Sequence, residues 1–170
     1  MDARADRQVS HRSYVSYIDK SREYYAAHGY DQPYRWAAFD DVPFTPLTKP
    51  VAESRLAVVT TSFLHHHESF DGAPATGKQV YAHPVADRPG SMFTDDLSWD
   101  KQETNTDDAE SFLPLDRLGE FVEAGRIGSL NERFYGVPTE YSQRKTGLDA
   151  DQIAAWADDD GVDIALLVPL

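Results

Sequence analysis

The sequence predicts an α/β fold, an open and mostly parallel sheet flanked by helices, preceded by an aromatic and proline-rich amino-terminal arm. Two short apolar runs point to it first. "RLAVVTTS" at 55–62 and "DIALLVPL" at 163–170 carry apolar residues without alternation, as strands buried on both faces do. Segments with apolar residues at three-and-four spacing lie between them, and alternation of strands with helices is the pattern of an α/β sheet. A hydrophobic share of 41% over 170 residues provides for one core and not for two large ones. The implied organisation is a helix and arm over 1–50 and an α/β domain over 51–170, incomplete at its carboxyl end.

Each element has its own signal. From Ser13 to His28, Tyr14, Tyr17, Ile18, Ser21, Tyr24 and Tyr25 recur at helical spacing, and Gly29 stops the helix. "YDQPYRWAAFDDVPFTPLTKPV" has neither helical nor strand period. Its Trp36, Phe39 and Phe44 are too apolar to face water singly, so it is expected to be an ordered arm laid over the body. "RLAVVTTS", Arg55 to Ser62, is the clearest strand, and "KQVYAHPV" is a second. Thr94 to Glu110 forms an acidic loop. Its carboxylates lack the alternating spacing and central glycine of a calcium loop, so it is expected to be solvated. "PLDRLGEFVEAG" brings Leu115, Leu118, Phe121 and Val122 onto one helical face between Pro114 and Gly125. "RIGSLNERFYGV" is a strand or turn. Asp149 then caps a helix whose buried stripe is Ile153, Trp156 and Ala157 and whose stop is Gly161, and the final strand follows.

Charge narrows the function classes. With 29 acidic against 16 basic residues, the formal charge of −13 repels phosphate, which excludes nucleic acid and anionic membrane surfaces as partners. The chain has no cysteine, so disulfides, zinc ribbons, iron–sulfur ligation and thiol catalysis are ruled out within these residues. No apolar run approaches the ~20 residues of a membrane span. The start "MDARADRQVSHRSY" lacks the apolar centre of a signal peptide, so a cytoplasmic location is expected.

The residues able to carry chemistry cluster in "TTSFLHHHES", where the Arg55 strand runs out and α/β proteins place functional loops. The hydroxyls of Thr60, Thr61 and Ser62 are candidate substrate-binding groups. His65, His66 and His67 form a run. In an extended chain His65 and His67 point to one side, where with His83 they have the donor set for a divalent metal. No HxxxH or HExxH spacing fixes them, so a solvated or ligand-facing loop stays open beside the metal site. There is no phosphate-cradling glycine loop, no GxSxG elbow and no CxxC.

Three stretches, "YRWAAFDDVPFTPLTKPVAESRLAVVTTS", "SFLPLDRLGEFVEAGRIGSL" and "GVDIALLVPL", together resemble in order and spacing the amino-terminal half of the glycine/sarcosine/betaine reductase component B and D-proline reductase family. In that selenoprotein B family, a selenocysteine or cysteine follows the strand corresponding to "ALLVPL", with further cysteines close behind. The resemblance implies an oxidoreductase that cleaves a small amine or amino-acid-like substrate reductively. A chalcogenolate would serve as nucleophile and a thiol protein as electron donor, because a selenol or low-pKa thiol is ionised near neutral pH and both attacks and leaves well. Thr60, Thr61 and Ser62 fall on the family's hydroxyl-rich strand end, and Pro114, Leu115 and Asp116 on its "PLD". Phe63 and the histidine run depart from the small residues expected after "TTS".

On that resemblance the codon after Leu170 is expected to be a UGA meant as selenocysteine, leaving the nucleophile outside the chain and the chain inactive alone. His65 or His67 is then the candidate proton donor or ligand clamp. The expected partners are a small-molecule substrate, the thiol donor and further copies of the chain in an oligomer. The alternative is a non-catalytic metal-binding or partner-binding module that uses the histidine-rich loop. A further possibility is a fragment that associates through an exposed sheet edge.

Overall fold

The computed structural model describes residues 17–30, 32, 40–42, 45–64, 79–94, 105–137, 139–140 and 142–170. The chain divides into two compact units, Met1–Val42 and Pro43–Leu170. The first contains α1, Tyr17–Ala27, which ends at Gly29 in the left-handed region at φ 80°. Its rings pack on one another: Tyr24 lies 4.2 Å from His28 between centroids, and Tyr25 meets Tyr30 edge-on at 5.7 Å. The expected arm residues Trp36, Phe39 and Phe44 lie outside the described residues.

The second unit is an α/β domain built on a five-stranded, mostly parallel sheet. The strands are β1 (Arg55–Thr60), β2 (Tyr81–Pro84), β3 (Ser129–Leu130), β4 (Arg133–Gly136) and β5 (Ile164–Val168), and the helices are α2 (Leu115–Glu123) and α3 (Gln143–Asp159). β1 is central. One edge pairs in parallel with β3 and then β4, the other in parallel with β5, and β2 closes the far side antiparallel to β4. Between Leu56↔Leu130 and Val59↔Tyr135 the register slips by two residues, a bulge at Asn131 and Glu132 that turns Asn131 inward.

Both faces of the sheet are covered, which is why β1 has no polar alternation. On one face Leu56, Val58 and Phe134 pack with Phe112, Leu115 and Leu118 beneath α2. On the other, Ala57, Val59 and Tyr135 pack against Ile153, Trp156 and Ala157 of α3, with the Tyr135 and Trp156 rings stacked at 6.2 Å. The Ile153, Trp156 and Ala157 stripe is thus the packed face of α3, as its spacing predicts.

The helix boundaries are set by identifiable caps. Pro114 precedes α2 and offers no side-chain cap, so Glu110 substitutes, its carboxylate accepting the amides of Asp116 at 3.0 Å and Arg117 at 3.2 Å. Gly125 ends α2 at φ 68° and Gly161 follows α3 at φ 66°, as predicted. Asp149 is not the cap of α3. The helix begins two turns earlier, where Ser142 Oγ accepts the Lys145 amide at 3.4 Å, and Asp149 is an interior, largely buried residue paired with Lys145 at 3.1 Å. The acidic loop also departs from expectation at its end, where Ala109–Ser111 form a 3₁₀ turn capped by Asp108.

β5 corrects a second expectation. It is a strand, but among the described residues it is an edge strand and not one buried on both faces: Ala165, Leu166 and Leu167 are exposed, Leu167 to 71%. The helices that cover β1 on both faces leave the middle of β5 open. No described helix is long and apolar enough to cross a membrane.

Candidate functional site

In a parallel sheet the carboxyl ends of the strands are where backbone groups and loop side chains become available to a ligand. Here β1, β4 and β5 end together at Thr60, Gly136 and Val168. The chain beyond β1 is fastened there by hydroxyls. Thr60 Oγ1 lies 3.0 Å from Ser62 Oγ and accepts the Ser62 amide at 3.3 Å, while Ser62 Oγ donates to the Met92 sulfur at 3.6 Å. Thr60 and Ser62 are fully buried, and their hydroxyls hold the turn in shape. Thr61, between them, points the other way and is partly exposed. Its Oγ1 accepts the Leu170 amide at 2.8 Å and donates to the Leu170 carbonyl at 3.3 Å, tying the segment after β5 to the end of β1.

Tyr81 roofs this edge from β2. Its hydroxyl donates to the Ser62 carbonyl at 2.7 Å, its ring meets Phe134 edge-on at 6.1 Å, and burial pushes its phenol above the ordinary value. The position depends on Gly136, its directly opposed partner on β4: a methyl group there would overlap the Tyr81 ring. Phe63 and Phe93 exchange backbone hydrogen bonds at 2.7 and 3.0 Å, so the chain leaves β1 as a short antiparallel bridge.

The opposite, amino edge is charged. Asp160, just past α3, accepts from Arg133 Nε at 3.0 Å and Nη2 at 2.6 Å, from Asn131 Nδ2 at 2.8 Å and from the Tyr135 hydroxyl at 2.6 Å. The Arg133 guanidinium, aided by Tyr135 and Asn131, holds the Asp160 carboxyl well below the usual carboxylate range against the opposing effect of burial. Burial and Asp160 together push the Tyr135 phenol up. A concavity of about 260 Å³ lined by Arg55, Asn131, Glu132, Arg133, Asp159 and Asp160 opens beside this cluster. A second, of about 270 Å³, contains the Lys49–Asp163 pair at 2.7 Å; the Arg55 amide, and then Lys49, lower the Asp163 carboxyl. The Asp160 carboxylate and the Arg133, Asn131 and Tyr135 groups around it are matched to one another, which is how an interlock looks rather than a receptor.

Thr60, Thr61 and Ser62 are therefore together at the carboxyl edge, with Thr61 alone presenting its side toward solvent. His65 and His67 lie outside the described residues. His83 sits on β2, tilted on the Phe134 ring at 5.4 Å, with Nε2 2.7 Å from the Asp87 carbonyl. That contact occupies one of the two ring nitrogens. Among the described residues no group of three His, Cys, Asp or Glu side chains is gathered to hold a metal ion. The Asp160 cluster and the Tyr81 roof were not foreseen, since their members are far apart in sequence and carry no local pattern. Comparison with family models, with curated proteins and with solved structures returns no match to this chain.

Proposed function

We propose that the chain is the substrate-side part of a thiol- or selenol-dependent reductase of the glycine/sarcosine/betaine and D-proline reductase kind. The observation that carries the proposal is the pair of hydrogen bonds between Thr61 Oγ1 and the backbone of Leu170. The family's chalcogen follows the segment resembling "ALLVPL". A residue in that position would emerge beside Thr61, at the edge of a parallel sheet where ligands bind.

In the proposed reaction the chalcogenolate attacks the carbon bearing the amine. The C–N bond breaks, and the amine leaves with a proton from a general acid, for which His65 and His67 are the candidates. A dithiol then cleaves the carbon–chalcogen bond, supplying two electrons as it is oxidised to a disulfide; one of the protons it gives up goes to the released carbon, and the chalcogenolate returns. Thr61, the exposed member of the hydroxyl triplet, orients the polar end of the substrate.

Reading the coding sequence through the codon after Leu170 tests the premise. A UGA followed by an open frame with early cysteines is expected, and an ordinary stop with no continuing frame overturns it. The read-through product, given a dithiol and glycine, sarcosine, betaine or D-proline in turn, should release amine or open the proline ring. Failure with all four overturns the substrate class and leaves a gene-level success standing.

A further inference from the structure

We infer that the 170-residue chain self-associates through β5, two copies joining their sheets by antiparallel pairing about a two-fold axis at Leu166. The inference concerns a different edge from the Thr61 site and does not depend on the reductase proposal.

The backbone supplies the first argument. The Leu56 carbonyl accepts the Asn131 amide at 2.8 Å and the Thr60 carbonyl accepts the Val137 amide at 2.9 Å, so the even-numbered residues of β1 direct their peptide groups at β3 and β4 and the odd-numbered ones at β5. In the parallel register Ala57 and Val59 therefore bond to Ile164, Leu166 and Val168, while Ala165 and Leu167 present N–H and C=O outward, placed to bond to each other across a two-fold at Leu166. No described strand pairs with that edge. The side chains supply the second. Leu166 is 36% and Leu167 71% exposed, on opposite faces of the sheet, so the edge is apolar above and below. Proline, lysine and bulges, the features that keep edge strands apart, are absent from Ile164–Val168.

Charge selects the occupant. Two copies of net charge −13 repel over most approaches, and a partner strand must bring no acid to this one. β5 itself meets that condition. Centred on Leu166, the antiparallel register sets Leu166 opposite Leu166, Ala165 opposite Leu167 and Ile164 opposite Val168, every pair apolar. The flanking Asp163 falls opposite Pro169 and is already neutralised by Lys49 at 2.7 Å. The antiparallel two-fold also closes on itself, whereas a parallel addition would leave a new open edge.

Sedimentation velocity on the 170-residue chain from about 5 to 500 µM, a span suited to a small interface, should show a monomer–dimer equilibrium. Added salt should strengthen it by screening the like charges. Leu167→Lys should weaken the dimer about tenfold or more while leaving the circular dichroism and thermal midpoint unchanged. Because the chain has no cysteine, single thiols report the register. Leu166→Cys should cross-link with itself under mild oxidation. Ala165→Cys and Leu167→Cys should cross-link when mixed and not alone. A chain monomeric throughout the range, a dimer indifferent to Leu167→Lys, or thiols that cross-link in any other pattern overturns the inference.

Discussion

β1 and β5 are neighbours of almost the same composition, "RLAVVT" and "IALLV", paired over five residues, yet one is the most enclosed segment of the domain and the other among the most exposed. From Leu56 to Thr60 every residue of β1 is buried, while no residue of β5 is. The difference lies in what flanks each strand. β1 has a strand on both sides and a helix over each face, whereas β5 joins the core only on the α2 face and only at its ends, through Ile164, Val168 and the Leu170 beyond. An apolar run therefore states that a segment is suited to a sheet, and its place within the sheet is a property of the whole topology.

The largest expected effect breaks the comparison most directly. Val58→Asp places an unpaired charge at a fully buried site and should abolish cooperative thermal unfolding, since the cost, above about 4 kcal/mol, rivals the stability of a small domain. The same change at Leu167 should leave a folded protein. If both variants fold, β1 is not the interior strand described here.

Gly136→Ala sharpens the picture on the β4 side. The methyl group must displace the Tyr81 ring and break its hydrogen bond to Ser62, at a cost of about 2–3 kcal/mol in denaturant titration. Asp160→Asn should cost about 2 kcal/mol at neutral pH by weakening the bonds to Arg133 and Tyr135. Its pH signature is separate. Because the folded carboxyl is held below its unfolded value of about 3.9, its contribution is complete above that value and lost as pH falls below it. The wild type should therefore lose stability between about pH 5 and pH 2 more steeply than Asp160→Asn. Equal slopes would remove Asp160 from the account. Thr61→Val, which removes the clasp on Leu170, should cost about 1 kcal/mol. The smallest effect belongs to the edge: Leu167→Ser should change monomer stability by about 0.5 kcal/mol or less.

How far these features could be read in advance follows from the range over which each acts. Strand β1, helix α2 and the glycines at 125 and 161 were legible because β-branching, three-and-four spacing and left-handed caps are local. The first two turns of α3 were not. "SQRKTGL" has no apolar stripe, contains Gly147 and exposes Leu148, so Asp149 looked like the beginning of a helix that in fact starts at Gln143. The triplet Thr60, Thr61 and Ser62 was recognisable as a strand end. That two of its hydroxyls turn inward to each other and to Met92, and one outward to Leu170, depends on partners 30 and 109 positions away. The Asp160 cluster is more remote still from pattern reasoning, because Asn131, Arg133 and Tyr135 acquire meaning only when α3 delivers a carboxylate to the start of β4.

The central place of β1 also has a consequence in time. It is the first of the described strands to be synthesised, and its partners come late, since Leu56 pairs with Leu130 on one side and, 108 residues after its own synthesis, with Ile164 on the other. At translation rates of about 5 to 20 residues per second, the most deeply buried strand of the domain waits roughly 5 to 20 s for its sheet. Folding then rests on closing long loops rather than on local contacts, which favours slow acquisition of structure and makes this interval the one in which a chaperone would find its grip.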